Sequence, residues 1–413
     1  MNNQVTFSSK TRALRIYIAI IGFCMSGFFG FDKYLPFHNL VYIVTYIHLA
    51  IFLINTIVLF LFLIKKKKLK IYHFMHLCTM WLLIVLAEVV QTYIRYHQPI
   101  SYTMIEALFL LNPLMSVLCF CQFGITYSDE EIICDTFVAI STITNFISTL
   151  AFVLYQYYGN DILLLGNNAM FRNGSVRIII GEMLVYPMIM ISISRLIEKK
   201  HNIIDILNIV FGLFSVVFVA RTRAVMIGIV LAILLYILVR KDLNIYLRIL
   251  IVTTVTVLLV VFVLSYSGIL NQISLYLNSD WGILRRYDTV KFYLNQFYHY
   301  PLLGMGLLGG SKNLPFSELL FGPYGVYYRG DVGAIGFINA YGIIGLLWLI
   351  MLFKNLIQTG INYKKNGYLI IITLYCAVTM VSLDFMNSNR SMYLFILLTL
   401  FYYAKHRPNI QEM

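Results

Sequence analysis

The sequence predicts an all-α polytopic membrane protein of about 12 transmembrane helices, with one long outer loop carrying short helices. Three observations carry that expectation. Hydrophobic residues make up 60% of the 413 and charged residues only 12%, at a mean hydropathy of +0.80, too few charges to cover a soluble surface. Apolar runs of about 20 residues recur from end to end, each long enough to cross a hydrocarbon core of roughly 30 Å. One hydrophilic stretch, 268–333, is far longer than any other and falls between the ninth and tenth runs.

Charged, Gly/Pro and polar clusters set the breaks between spans. The first, 14–32, follows Lys10 and Arg12; it has no small-residue cleavage site behind it and reads as a retained span rather than a signal peptide. The second, 39–64, stops at Lys65, Lys66, Lys67, Lys68 and Lys70. Spans 72–94, 103–126 and 132–157 follow, and 176–196 ends at Arg195, Lys199 and Lys200. Spans 203–220 and 223–239 are divided only by the polar residues in "FVARTRAVMIGI" (218–229). Span 249–267 begins after Arg248, 334–353 stops at Lys354, 367–385 follows Lys364 and Lys365, and 391–404 ends at Lys405 and Arg407. The chain 1–413 therefore reads as a single integral membrane domain.

With the N-terminus inside, 19 of the 31 basic residues fall on one face, on short loops and tails, so that face is cytoplasmic and both termini lie there. The other 12 are three lysines (Lys33, Lys291, Lys312) and nine arginines: Arg95, Arg172, Arg177, Arg221, Arg223, Arg285, Arg286, Arg329 and Arg390. The cytoplasmic face holds 13 lysines and six arginines. A topogenic signal has no strong reason to distinguish the two, but ligand chemistry does: a planar guanidinium fork clamps phosphate and is less strongly hydrated than ammonium. The outer arginines point to an anionic ligand, phosphate or pyrophosphate; the alternative is contact with lipid headgroups.

Two outer loops stand out. One, 158–176, contains "FRNGSVR". In the other, 268–333, Ile283, Tyr287, Val290, Phe292, Leu294 and Phe297 have helical spacing, which predicts an amphipathic helix on the membrane surface, and the glycines and prolines of 301–333 predict irregular structure after it. The six cysteines (Cys24, Cys78, Cys119, Cys121, Cys134, Cys376) lie in or at the ends of apolar runs and read as packing residues. The net charge of +13 flanks membrane spans, so no nucleic-acid partner is expected.

The sequence has no Walker A or Rossmann glycine motif, no His/Cys metal-ligand pattern and no Gly-x-Ser-x-Gly elbow. No soluble domain is present to hold a nucleotide. The expected substrate is therefore already at the membrane and already activated, with no cofactor and no metal. Matching halves with interrupted helices, the mark of a repeat-built transporter, are not evident.

A basic "TR" start to a span, one further span, then a large outer loop that returns through a glycine-rich span resembles the O-antigen polymerase and O-antigen ligase superfamily. The pieces are "ARTRAVMIGI" (220–229), "RRYDTVKFYLNQFYHYPLLGMGLLGG" (285–310) and "RGDVGAIGFINAYGIIGLLWL" (329–349). The segment "HYPLLGMGLLGG" (299–310) is similar to that family's Pro-hydrophobic-x-Gly-x-Gly stretch. The N-terminal half matches in hydropathy alone. Two departures are visible: no outer arginine has a Gly eleven residues on, as in some polymerases, and Asp331 stands where the ligase branch has a His. The second departure favours polymerase over ligase.

The resemblance implies a polysaccharide polymerase in a bacterial cytoplasmic membrane. It would transfer a glycan from a polyprenyl-pyrophosphate-linked oligosaccharide to a sugar hydroxyl on the outer face, among membrane lipids, with a flippase and a chain-length regulator as partners. The departing pyrophosphate needs fixed cations and the acceptor hydroxyl a general base. Asp331, Arg223 and Arg221 are the expected catalytic residues. Arg285, Arg286, Arg329, His299, Arg172, Arg177 and Arg390 are expected to bind pyrophosphate or glycan. Asp288 reads alternatively as the ion-pair partner of Arg285 and Arg286, and His299 as packing between Tyr298 and Tyr300. Glu88, Glu106, Glu182 and Asp384, in or near spans, are costly to bury; Asp384 is placed to line the same cavity as Arg390. A lipid-linked glycan ligase, and a lipid-linked oligosaccharide flippase, remain the alternative functions.

Overall fold

The computed structural model describes residues 2–29, 43–64, 74–123, 127–160, 163, 169–172, 175–239, 249, 253, 281–309, 316–362, 367–387 and 389–406. Its elements are α1 (Asn2–Met25), α2 (Ile43–Ile64), α3 (Met75–Tyr96), α4 (Ile100–Gln122), α5 (Tyr127–Tyr158), β1 (Ala169–Arg172) and β2 (Ser175–Ile178). They continue with α6 (Glu182–Ile197), α7 (Ile203–Phe214), α8 (Arg223–Val239), α9 (Trp281–His299), α10 (Ser317–Phe321), α11 (Gly333–Asn362), α12 (Gly367–Thr379) and α13 (Tyr393–His406).

Every expected span except 249–267 overlaps a described helix over part of its length; that span, apart from Ile249 and Thr253, lies outside the described residues, as does 268–280. Among the described residues five helices are long and apolar enough to cross a membrane, and four shorter helices are predominantly apolar. Helices suit that role because each satisfies its own backbone hydrogen bonds where water is absent. This is the architecture of a helical membrane protein.

Helix α6 is the hub. It is buried continuously over 183–195 and packs against α5, α7 and α12. A helix apolar on every side belongs inside a bundle rather than at its surface. Helix α2 instead exposes Leu53, Ile57, Phe60, Leu61 and Ile64, the outward face expected of a lipid-facing span. Across the bundle Trp81 of α3 stacks on Trp348 of α11 at 4.1 Å between ring centroids. Both indoles find carbonyls, Trp81 donating to Leu110 O and Trp348 to Leu77 O, so neither N–H is stranded in the core. All six cysteines are buried and free, as packing residues should be.

Three expectations need correction. The span predicted over 176–196 begins as a strand: β2 pairs antiparallel with β1, Val176, Ile178 and Ile180 are buried in alternation, and the helix starts at Glu182 after Gly181 turns left-handed at φ 64°. The period of those apolar residues is two, not 3.6, which is the signal of a strand. The span predicted over 367–385 stops at Thr379, and Asp384 lies in the connection to α13. Helix α9 forms where amphipathic spacing predicts it, but Tyr287 is 58% exposed while Thr289 and Tyr293 are buried. Polar anchors set that rotation: Tyr293 Oη donates to Leu320 O at 2.6 Å, and Asn339 Nδ2 donates to Tyr293 O at 3.1 Å.

Helix α11 is kinked at Gly342, whose φ of 62° and ψ of −161° belong to a region that essentially only glycine occupies. A methyl group there would also run into the Leu302 carbonyl and the Gly304 nitrogen. Gly342→Ala is therefore expected to cost more than the 1–3 kcal/mol of backbone strain alone, read as a lowered thermal midpoint of the purified protein.

Candidate functional site

The site begins with a stretch of irregular backbone, "PLLGMGLLG" (301–309), buried from Gly304 onward and wedged between α3 and the α11 kink. Gly304 and Gly306, at φ 69° and 85°, allow the turns. On the α11 side, Met305 N donates to Asn339 O, Gly306 N to Ala340 O and Ile343 N to Pro301 O, at 2.7, 3.1 and 2.8 Å. On the α3 side, Gln91 Nε2 and Arg95 Nη1 both donate to Gly304 O, at 2.9 and 3.0 Å. Thr92 Oγ1 accepts from Leu307 N, and Gln98 Oε1, just past α3, accepts from Gly309 N. Irregular backbone is tolerated deep in such a bundle only when its polar groups are met in this way.

The carbonyl of Gly306 accepts from Arg329 Nη1 at 3.1 Å. Arg329 opens a 3-10 turn, Arg329–Asp331, that leads into α11. Its other nitrogens, Nε and Nη2, are buried and have no hydrogen-bond partner. Leaving charged donors buried and unmet costs upwards of 1–3 kcal/mol, so this guanidinium is poised for an acceptor from outside the chain. Burial pulls its pKa below the ordinary guanidinium value, against the pull of Tyr293, Tyr341, Tyr96 and Glu106.

Arg329 belongs to the wall of a cavity of about 330 Å³. Beside Arg329 it is lined by Glu106, Asp384, Asn387, Asn389 and Tyr341, with apolar walls from α4 and 307–308. The exposed side chains of Tyr328 and Asn389 connect it to the surface. Asp384 is held by its own loop: its N–H donates to Gly330 O at 3.1 Å, and its Oδ1 accepts from Met386 N at 2.8 Å. Burial pushes its carboxyl up to about 7, although the Met386 N–H, Arg390 and Arg329 all pull the other way.

The sequence-predicted residues divide into three groups. Arg329 lines the cavity, and Arg285 stands at its edge, its guanidinium 5.8 Å from the Tyr328 ring centroid. A second group lies along the α6 N-terminus. There Arg390 pairs with Glu182 at 2.8 Å and donates Nη1 to Asp384 O at 3.4 Å, while Tyr393 Oη donates to Glu182 O at 2.7 Å. Nearby, Arg177 Nε donates to Ala220 O, and the next residue, Arg221, is exposed, left-handed at φ 51°, and donates to Phe218 O. Arg223, also exposed, starts α8 after a π-helical turn, Ser215–Val219, has unwound α7. Arg172 closes β1 opposite Ser175.

The third group, Arg286, His299 and Asp331, is exposed, and none of the three lines the cavity. Asp331 faces away because its 3-10 turn aims Arg329 inward two residues earlier. Arg221 and Arg223 lie outside the cavity as well. Breaking the largely enclosed Arg390–Glu182 pair, 14% and 10% exposed, strands a charge, so Arg390→Gln is expected to cost about 3 kcal/mol, with part recovered in the double variant with Glu182→Gln; thermal melting of both checks this.

Sequence reasoning missed Asn387, Asn389, Tyr328 and Tyr341 as site residues. The amides carry no charge to flag them, and the tyrosines are two among 31. Glu88, fully buried on α3, is also close by: a side chain at Gly306 would lie 3.5 Å from its Oε2. Its Oε1 has no partner. At the other end of α6, Arg195 pairs with Asp135 and Asp205 and meets Tyr368, a closed network with its donors engaged.

Fold and site together define a helical membrane protein with a polar cavity that one of its predicted outer arginines, Arg329, lines. No protein-family model matches the chain, and no curated protein is significantly similar to it.

Proposed function

We propose that the chain is a polysaccharide polymerase: a metal-independent glycosyltransferase moving a glycan from a polyprenyl-pyrophosphate-linked repeat unit to the sugar hydroxyl of another. The carrying observation is the pairing, on one cavity, of a guanidinium whose Nε and Nη2 have no partner with a buried carboxyl group, Asp384. The donor C1–O(phosphate) bond breaks as the acceptor O–C1 bond forms. The acceptor proton passes to Asp384, and polyprenyl pyrophosphate leaves. Arg329 meets the charge gathering on the departing oxygen, and Asp384 replaces Asp331 as the base. On this reading about 12 spans place both termini in the cytoplasm of a bacterium and the arginine-bearing end outside, which the positive-inside distribution supports.

Reconstitution with purified polyprenyl-pyrophosphate repeat units tests the proposal, with lengthened lipid-linked glycans as the expected product. Transbilayer movement of the lipid without lengthening would make the chain a flippase, and capping of a lipid A core without lengthening would make it a ligase.

A further inference from the structure

We infer that the α7–α8 flank thins the bilayer beside it, drawing the phosphates of the outer leaflet down to the turn at Arg221–Arg223. The partner is the lipid surface itself. The thinning stands on helix lengths; that the lowered leaflet is the outer one rests on the orientation in the proposed function.

Length is the first ground. At 1.5 Å per residue α2 and α3, of 22 residues each, reach about 33 Å, enough for a hydrocarbon core of roughly 30 Å. Helix α8 has 17 residues and reaches about 25 Å, and α7 with its π-helical turn, Ile203–Val219, is no longer. Both present apolar side chains outward: Val210, Leu213 and Phe218 on α7, and Ile227 and Leu235 on α8, are exposed.

Helix α5, packed beside α7, agrees although it is 32 residues long. Its Ala151 and Phe152 are buried in a cluster with Val176 and Ile178 of the β1–β2 hairpin. The exposed residues after them, Gln156, Tyr157 and Tyr158, all carry polar groups. The apolar band that α5 shows to lipid therefore runs from the exposed Asp135 to Leu150, about 22 Å.

The second ground is how the short band ends. A span shorter than the bilayer is met by thinning, by snorkelling of its flanking residues, or by association with another chain. Snorkelling needs a long cation stretched away from the helix end. Arg221 does the reverse. Left-handed at φ 51°, it donates Nε to Phe218 O at 3.0 Å, which folds the guanidinium back over the end of α7. A second copy packed on this flank would cover the exposed Arg221 and Arg223, whereas a plane of lipid phosphates at their level is of opposite charge.

The lowered leaflet also suits the depth of the cavity. Helix α4 starts at Ile100, and its wall residues Phe109 and Leu110 lie about 14 Å along it. A lipid-linked phosphate carried on a thinned leaflet comes nearer that level without leaving the plane of its neighbours.

The test reads lipid depth and needs no turnover. All six native cysteines are buried, so a single introduced cysteine takes the fluorophore. Ile203→Cys and Phe218→Cys mark the two ends of the short band, and Tyr46→Cys and Ile64→Cys those of α2, all at exposed positions. The full-length protein is placed in phosphatidylcholine nanodiscs that contain lipids spin-labelled at the headgroup or at mid-chain. Quenching then gives the depth of each fluorophore relative to the lipids beside it. All four are expected at headgroup level. A flat bilayer would put the fluorophores at 203 and 218 together about 5 Å below the headgroups, and stronger mid-chain quenching at either would overturn the inference. Protection of 218 from both spin labels would overturn it as well, the flank then being covered by a second copy. If Phe218→Cys fails to fold, its exposed neighbour Val217 takes the label instead. Shallow fluorophores on a protein that lengthens no lipid-linked glycan would keep the thinned flank and remove the polymerase reading. Lengthening by a protein whose 218 fluorophore lies deep would do the reverse.

Discussion

Arg329→Lys is expected to slow glycan lengthening by about 10²–10³-fold, the loss typical when a fixed donor to a developing oxyanion is removed. On the proposed reading the guanidinium performs two tasks with one plane: Nη1 is anchored on Gly306 O, and the unpartnered Nε and Nη2 remain for the ligand. An ammonium is a single point of charge on a flexible stem. Anchored on Gly306 it no longer presents a fork, and turned to the ligand it abandons the buried carbonyl. Initial rates with purified donor lipid, beside thermal melts showing that the variant is folded, decide the matter. A rate within threefold of the parent would remove Arg329 from the chemistry.

Asp384→Asn is expected to lower the rate by about 10²–10⁴-fold, the range ascribed to a positioned acid or base. Burial has raised the Asp384 carboxyl to about 7, so its base form is lost as pH falls through that value. The parent rate should therefore climb about tenfold per pH unit below 7 and level off above it, and Asp384→Asn should lack that limb. Asp331→Asn is the informative companion. Its carboxylate is exposed and off the cavity, so its pH profile should match the parent. If the limb vanishes in Asp331→Asn and survives in Asp384→Asn, the base is Asp331.

Hydropathy and charge made the bundle legible because lipid imposes one rule on every span: apolar outside, backbone satisfied inside. The turn at Arg221–Arg223 was legible for the same reason, since three polar residues interrupt an apolar run. Asp384 does meet Arg390, although of the two only Asp384 lines the cavity, and the sequence assigns it to the end of a span because "VSLDFM" (381–386) is apolar around it. What ends α12 is a long-range contact that no window sees, the Met380 carbonyl accepting from Ala334 N at 2.6 Å. Asp331 illustrates a different limit of the sequence. Its flanking glycines announced a turn, and a turn formed, but glycine spacing does not encode which of two neighbouring side chains points inward. Glu106 sits on an ordinary apolar helix, and only the loop folded over it makes that position a wall.

The wedge of backbone at 301–309 also sets an order of events during synthesis. Its partners on and just past α3, Gln91, Thr92, Arg95 and Gln98, precede it by 209 to 215 residues. At 5–20 residues per second the ribosome needs roughly 10–40 s to bridge that gap. Throughout that time the amide, hydroxyl and guanidinium groups of α3 wait for 301–309 with local partners alone, Gln91 and Thr92 both turning to Glu88. The nascent protein is thus a helical bundle with a polar scar on one side before it becomes anything with a cavity. The later part of the chain closes that scar and forms the site in the same step.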